Sequence, residues 1–104
     1  MKVTNIETLR EETMRALNEE FGLDLAPCGI EYSFKSNNGQ TYDLKYECAL
    51  DNMVLRRPFT IIFTDDYAFF RYDGENHSHI DYHDLKNKAQ YFMRLAVIVH
   101  ELIN

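Results

Sequence analysis

The sequence predicts an α+β fold: an N-terminal helix, a four-stranded antiparallel meander sheet and a long C-terminal helix, arranged as a two-layer sandwich. Three observations carry this expectation. Apolar residues recur at helical spacing near both ends, a ten-residue run in the middle alternates with period two, and short polar turn segments separate the remaining apolar runs. At 104 residues the chain is expected to be one domain, 1–104. Its 45% hydrophobic and 13% aromatic content is enough for a real core and argues against disorder.

The first helix is expected over about residues 5–21. Thr4-Asn5-Ile6-Glu7 has capping-box spacing, with Thr4 as the N-cap. Ile6, Leu9, Thr13, Leu17 and Phe21 make one stripe, and Glu11, Glu12, Arg15, Glu19 and Glu20 face away from it. Gly22 follows as a left-handed C-cap, and Leu23 to Gly29 reads as loop around Pro27.

Strands come next. Ile30, Tyr32 and Phe34 alternate with Glu31, Ser33 and Lys35, and Ser36-Asn37-Asn38-Gly39-Gln40 closes a hairpin. Thr41 to Leu50 keeps strict alternation, the mark of a strand with one face buried and one wet. After a turn at Asp51-Asn52, a third strand is expected within Met53 to Phe63, interrupted near Arg56-Arg57-Pro58. Thr64-Asp65-Asp66 turns the chain into a fourth strand, Tyr67 to Tyr72, which Asp73-Gly74-Glu75-Asn76 ends. The last helix is expected to be capped by Asp81, with Asp84 in its first turn. Its buried face is expected to be Leu85, Ala89, Phe92, Ala96, Val99 and Ile103. That assignment leaves Tyr91, Leu95, Ile98 and Leu102 on the back. Val54, Ile62, Ala68, Phe70 and Tyr72 likewise fall on a second sheet face, a surplus that points to partner binding or a homodimer.

Charge and composition narrow the function. The formal net charge of −6 weighs against nucleic acid as a partner, because phosphate contacts need a basic patch and Arg56-Arg57 is the only basic doublet. Glu31, Asp43 and Glu47 share the polar face with Lys35 and Lys45, which cross-strand ion pairing explains. Leu95 to Val99 is far too short an apolar run to span a bilayer, and no signal-like segment follows Met1-Lys2. No membrane partner and a cytoplasmic location are therefore expected. Cys28 and Cys48 read as two reduced thiols, with a disulfide open only if both face inward on adjacent strands.

The densest polar cluster is residues 73–84, with His77, His79 and His83 among four carboxylates. Imidazole and carboxylate suit a divalent ion, so these three histidines are the candidate ligands of a metal site, and of a small metal-dependent hydrolase as the alternative function. The plain reading is a polar loop and helix start, and no cofactor is expected. His100-Glu101 opens like a zinc-protease helix, but Asn104 stands where the second histidine must be. No glycine-rich phosphate loop occurs, and Cys28 has no partner nominated by spacing for nucleophilic chemistry. With no catalytic residue identified, the sequence favours a non-enzymatic role: a small acidic protein-binding module, an adaptor or inhibitor that occupies a partner's basic surface. The expected binding surface is Tyr72, Asp73, Glu75, Asp81, Tyr82, Asp84 and Tyr91, acids for steering and tyrosines as anchors.

Overall fold

Asn5 opens the first element in the computed structural model, which describes residues 1–35, 41–50 and 57–103, with side chains outside 29–35 and 41–50. Its backbone is extended (φ −144°, ψ 103°) and its side-chain oxygen accepts the Thr8 N–H at 3.0 Å. The cap is thus one residue later than Thr4, because the Asn5 amide reaches an orphan donor of the first turn. Helix α1 (Ile6–Phe21) ends at Gly22, whose φ of 67° is the expected left-handed cap. Ile6, Leu9, Thr13 and Leu17 are buried on it, as the stripe predicts.

Five strands follow: β1 (Ala26–Lys35), β2 (Thr41–Leu50), β3 (Phe59–Phe63), β4 (Tyr67–Tyr72) and β5 (Glu75–Asp81). They form one sheet in the order β1-β2-β3-β4-β5, every neighbouring pair antiparallel. The expected meander is present, with one strand more than the four anticipated. Asp73 and Gly74 do not end the β region; both have positive φ (56° and 81°) and make a two-residue turn that sends the chain straight back as β5. β1 also begins earlier than expected. Pro27 is tolerated because β1 is an edge strand, and the register shifts between Pro27 and Gly29. Glu31 stands opposite Lys45 in that register, where cross-strand charge pairing was expected. The expected turns at Ser36–Gln40 and Asp51-Asn52, the beginning of the third strand at Met53, and Val54 and Arg56 lie outside the described residues.

The C-terminal helix starts later than expected. Asp81 caps only a single 3-10 turn, Tyr82–Asp84, by accepting the His83 N–H at 2.9 Å. Leu85 is then extended, and helix α2 spans Lys88–Ile103. Asn87 opens it, accepting the Gln90 N–H at 3.1 Å, and Gln90 reaches back to the Lys86 N–H at 2.7 Å. This is a cap in which two orphan donors are satisfied reciprocally.

One face of the sheet carries the core. Phe59, Ile61 and Phe63 from β3, Ala68 and Phe70 from β4 and Ile80 from β5 are buried with residues of both helices. Ala68 and Phe70 therefore belong to the helix-covered face, and it is Ile62, Tyr67 and Phe69, alternate to them, that occupy the other. The expected inward face of α2 is also rotated. Leu85 and Val99 are buried as expected, but so are Tyr91, Leu95 and Ile98, whereas Ala89 and Ile103 are exposed. The reason is side-chain size. Turning Leu95 inward in preference to Ala96 removes more apolar surface from water, worth roughly 2 kcal/mol at that single position.

Candidate functional site

β5 is the last strand of the sheet, so one of its edges has no neighbour among the described residues. Beside it runs α2, and between them lies a groove of about 440 Å³ lined by Ser78, His79, Ile80, Met93, Arg94, Val97, Ile98 and Glu101. Met93 and Val97 are 69% and 58% exposed, the two most exposed large apolar side chains among the described residues. Both sit on the line of α2 that the inward row Tyr91-Leu95-Ile98 leaves over. An apolar line beside an unpaired strand edge offers two kinds of contact at once: backbone hydrogen bonds and side-chain burial.

Neither Met93 nor Val97 was anticipated. The signal was present: once the larger row is placed inward, Met93, Val97 and Glu101 form a separate row at spacing four. The alanine-containing row concealed it.

The expected binding residues divide. Tyr82 and Tyr91 cannot be surface anchors, because they are 1% and 0% exposed in the core. Tyr82 Oη donates to the Tyr67 carbonyl at 2.9 Å, and Tyr91 Oη lies 2.7 Å from Thr13 Oγ1. Burial, helped by nearby Tyr91, Asp65 and Asp66, pushes the Tyr82 hydroxyl far above its ordinary pKa. Tyr72 is half-buried and packs against the core.

The acids remain on the surface, but in two groups. Asp73 and Glu75 lie at the β4–β5 turn, where Arg57 Nη1 is 3.1 Å from Asp73 Oδ2. Asp81 and Asp84 lie at the other end of β5, roughly 20 Å away at about 3.3 Å per residue. The expected single acidic surface is therefore two acidic ends joined by a strand whose interior, Asn76 to Ile80, carries no acid.

The three histidines also separate. His77 Nε2 lies 4.0 Å from Glu101 of α2, and its Nδ1 is 3.1 Å from Ser78 Oγ. His79 packs against the rings of Tyr67 and Phe69, with centroids 5.7 and 5.9 Å away. His83 Nε2 is 2.9 Å from Asp66 Oδ1, and that hydrogen bond raises the imidazole above its ordinary pKa. A β-bulge at His77, the residue the register skips between Arg71↔Asn76 and Phe70↔Ser78, turns it out of step with His79, and the change to a 3-10 turn redirects His83. No group of three His, Cys, Asp or Glu side chains able to hold a metal ion occurs among the described residues. Cys28 is exposed and not buried.

No helix among the described residues is long and apolar enough to cross a membrane. Comparison with known proteins adds no relative: no family model, curated protein or solved structure matches the chain.

Proposed function

We propose that this chain is a small acidic protein-binding module that acts by occupying another protein's surface along β5 and α2. The observation that carries the reading is the open edge of β5 beside the exposed Met93 and Val97. Exposed apolar side chains scattered singly need no explanation, but two in register with an unpaired strand edge form a continuous surface. Methionine suits such a surface because its flexible thioether adapts to a partner's shape. The acidic ends of β5 bracket the groove and set the orientation of its occupant, while the groove supplies the burial.

The test is purification of the tagged chain under native conditions, beside a Met93→Glu/Val97→Glu variant. Both substitutions are at exposed positions, so circular dichroism and thermal melting should show an intact fold. A stoichiometric partner present with the parent and lost with the variant is the expected result. A partner retained by the variant would place binding elsewhere and defeat the reading.

A further inference from the structure

We propose that the occupant of this surface is a second copy of the chain, joined β5 to β5 and α2 to α2 about one two-fold axis. This rests on reading the groove as a binding surface, and it identifies the partner. The argument begins with the strand. Tyr82 donates its N–H to the Asp66 carbonyl at 3.1 Å, so the even-numbered residues at this end of β5 bond toward β4. The odd-numbered ones, His79 and Asp81, turn their N–H and C=O groups to the open side. Edge strands are commonly protected by lysine, proline or a bulge; β5 contains neither lysine nor proline, and its bulge at His77 leaves Ser78 to Asp81 regular. An identical antiparallel strand satisfies both sets of backbone groups.

The regular stretch of the strand sets the centre. β5 bulges at His77, which the register against β4 skips between Asn76 and Ser78, so Ser78 to Asp81 is the unbroken stretch of this edge. A pair centred on His79 lies within that stretch and exchanges the His79 N–H and C=O groups with those of the second copy.

The helix obeys the same axis. His77 approaches Glu101, and the groove brings Ser78 to Ile80 against Met93 to Glu101, so α2 runs antiparallel to β5 beside it. The middle of the exposed row, Val97, is then level with the centre of the strand. Arg94 lies three residues before Val97 and Glu101 four after. In an antiparallel helix pair centred on Val97, each Arg94 meets Glu101 of the other copy, and Met93 and Val97 are covered between them. A two-fold interface must be self-complementary, and this one is so in backbone, apolar contact and charge. The joined sheets form one continuous ten-stranded sheet, because β5 is the fifth strand of each.

Sedimentation equilibrium of the full chain over a range of concentrations reads the assembly directly. The parent is expected at twice the 12.3 kDa of one chain. Arg94→Glu sets two carboxylates against each other at each of the two symmetric contacts and should shift the mass to one chain, and the charge exchange Arg94→Glu/Glu101→Arg should restore the dimer. A monomeric parent, or a dimer indifferent to Arg94→Glu, overturns the proposal. A monomeric parent that still loses a different protein on Met93→Glu/Val97→Glu leaves the binding-module reading standing while removing this one.

Discussion

His83 and Asp66 show how a single side chain can titrate for a nameable reason. The imidazole is exposed, yet the Asp66 carboxylate 2.9 Å away holds its proton, and burial is too slight to oppose this. Its folded pKa lies above the unfolded value near the ordinary 6.5. The pair's contribution to stability is therefore fully present below that unfolded value and is lost as pH rises through the raised folded one. Asp66→Asn removes the acceptor charge, so an NMR titration should find the His83 midpoint moving down toward 6.5. An unmoved midpoint would mean that Asp66 is not the cause. No sequence pattern pairs these two residues, seventeen apart. They meet because the β4 and β5 ends are brought together by the hairpin. Thr13 and Tyr91 were equally hidden. Thr13 Oγ1 donates to the Leu9 carbonyl at 2.7 Å, so the Tyr91 hydroxyl must be the donor to Thr13. A buried tyrosine with its hydroxyl satisfied in this way cannot be told from an exposed one by spacing alone.

At the scale of elements, the regular patterns were legible and their ends were not. Helix α1 and the alternation of β2 follow from periodicity, which reports the element directly, and the antiparallel order from the short connections. β5 was missed although Asp73-Gly74 is a strong two-residue hairpin signal. Its histidines and acids drew a reading as polar loop, and a strand at the sheet edge has little apolar alternation to announce it. That turn makes a sharp prediction. Gly74 has φ +81° and nothing within 4 Å of where a Cβ would stand, so Gly74→Ala meets no clash and only the left-handed conformation opposes it. The expected loss is about 1–2 kcal/mol, the ordinary cost of placing an L-residue there. Urea unfolding should show a lower midpoint with an unchanged slope, because the surface exposed on unfolding is the same. An unshifted midpoint would mean that the turn does not need glycine. The rotation of α2 has the opposite cause. Two apolar rows lie side by side on that helix, periodicity fits both, and only the greater area of Tyr91, Leu95 and Ile98 decides between them.

For the molecule as a whole, one sheet face and two helices close a core, and among the described residues the last strand is left with a bare edge. The sequence made the layers legible because burial is written in hydrophobic spacing. It left the candidate surface obscure because that surface exists only once α2 is turned and β5 is recognised, two decisions that tertiary packing makes. The edge can be observed residue by residue through amide hydrogen exchange. Tyr82 bonds toward β4 and Ile80 shares its direction, so both amides are internal controls, protected whether or not a partner is bound. His79 and Asp81 face the open side, so their protection depends on what lies across the edge. In the Val97→Glu variant, which sets two carboxylates at the proposed axis, His79 and Asp81 should exchange rapidly while Ile80 and Tyr82 remain slow. In the parent at high concentration all four should be slow, and dilution should release the odd pair alone. Equal, rapid exchange of His79 and Asp81 in both proteins would mean that the edge stays open in solution. The partner surface would then lie with the side chains of α2 and not with the backbone of β5.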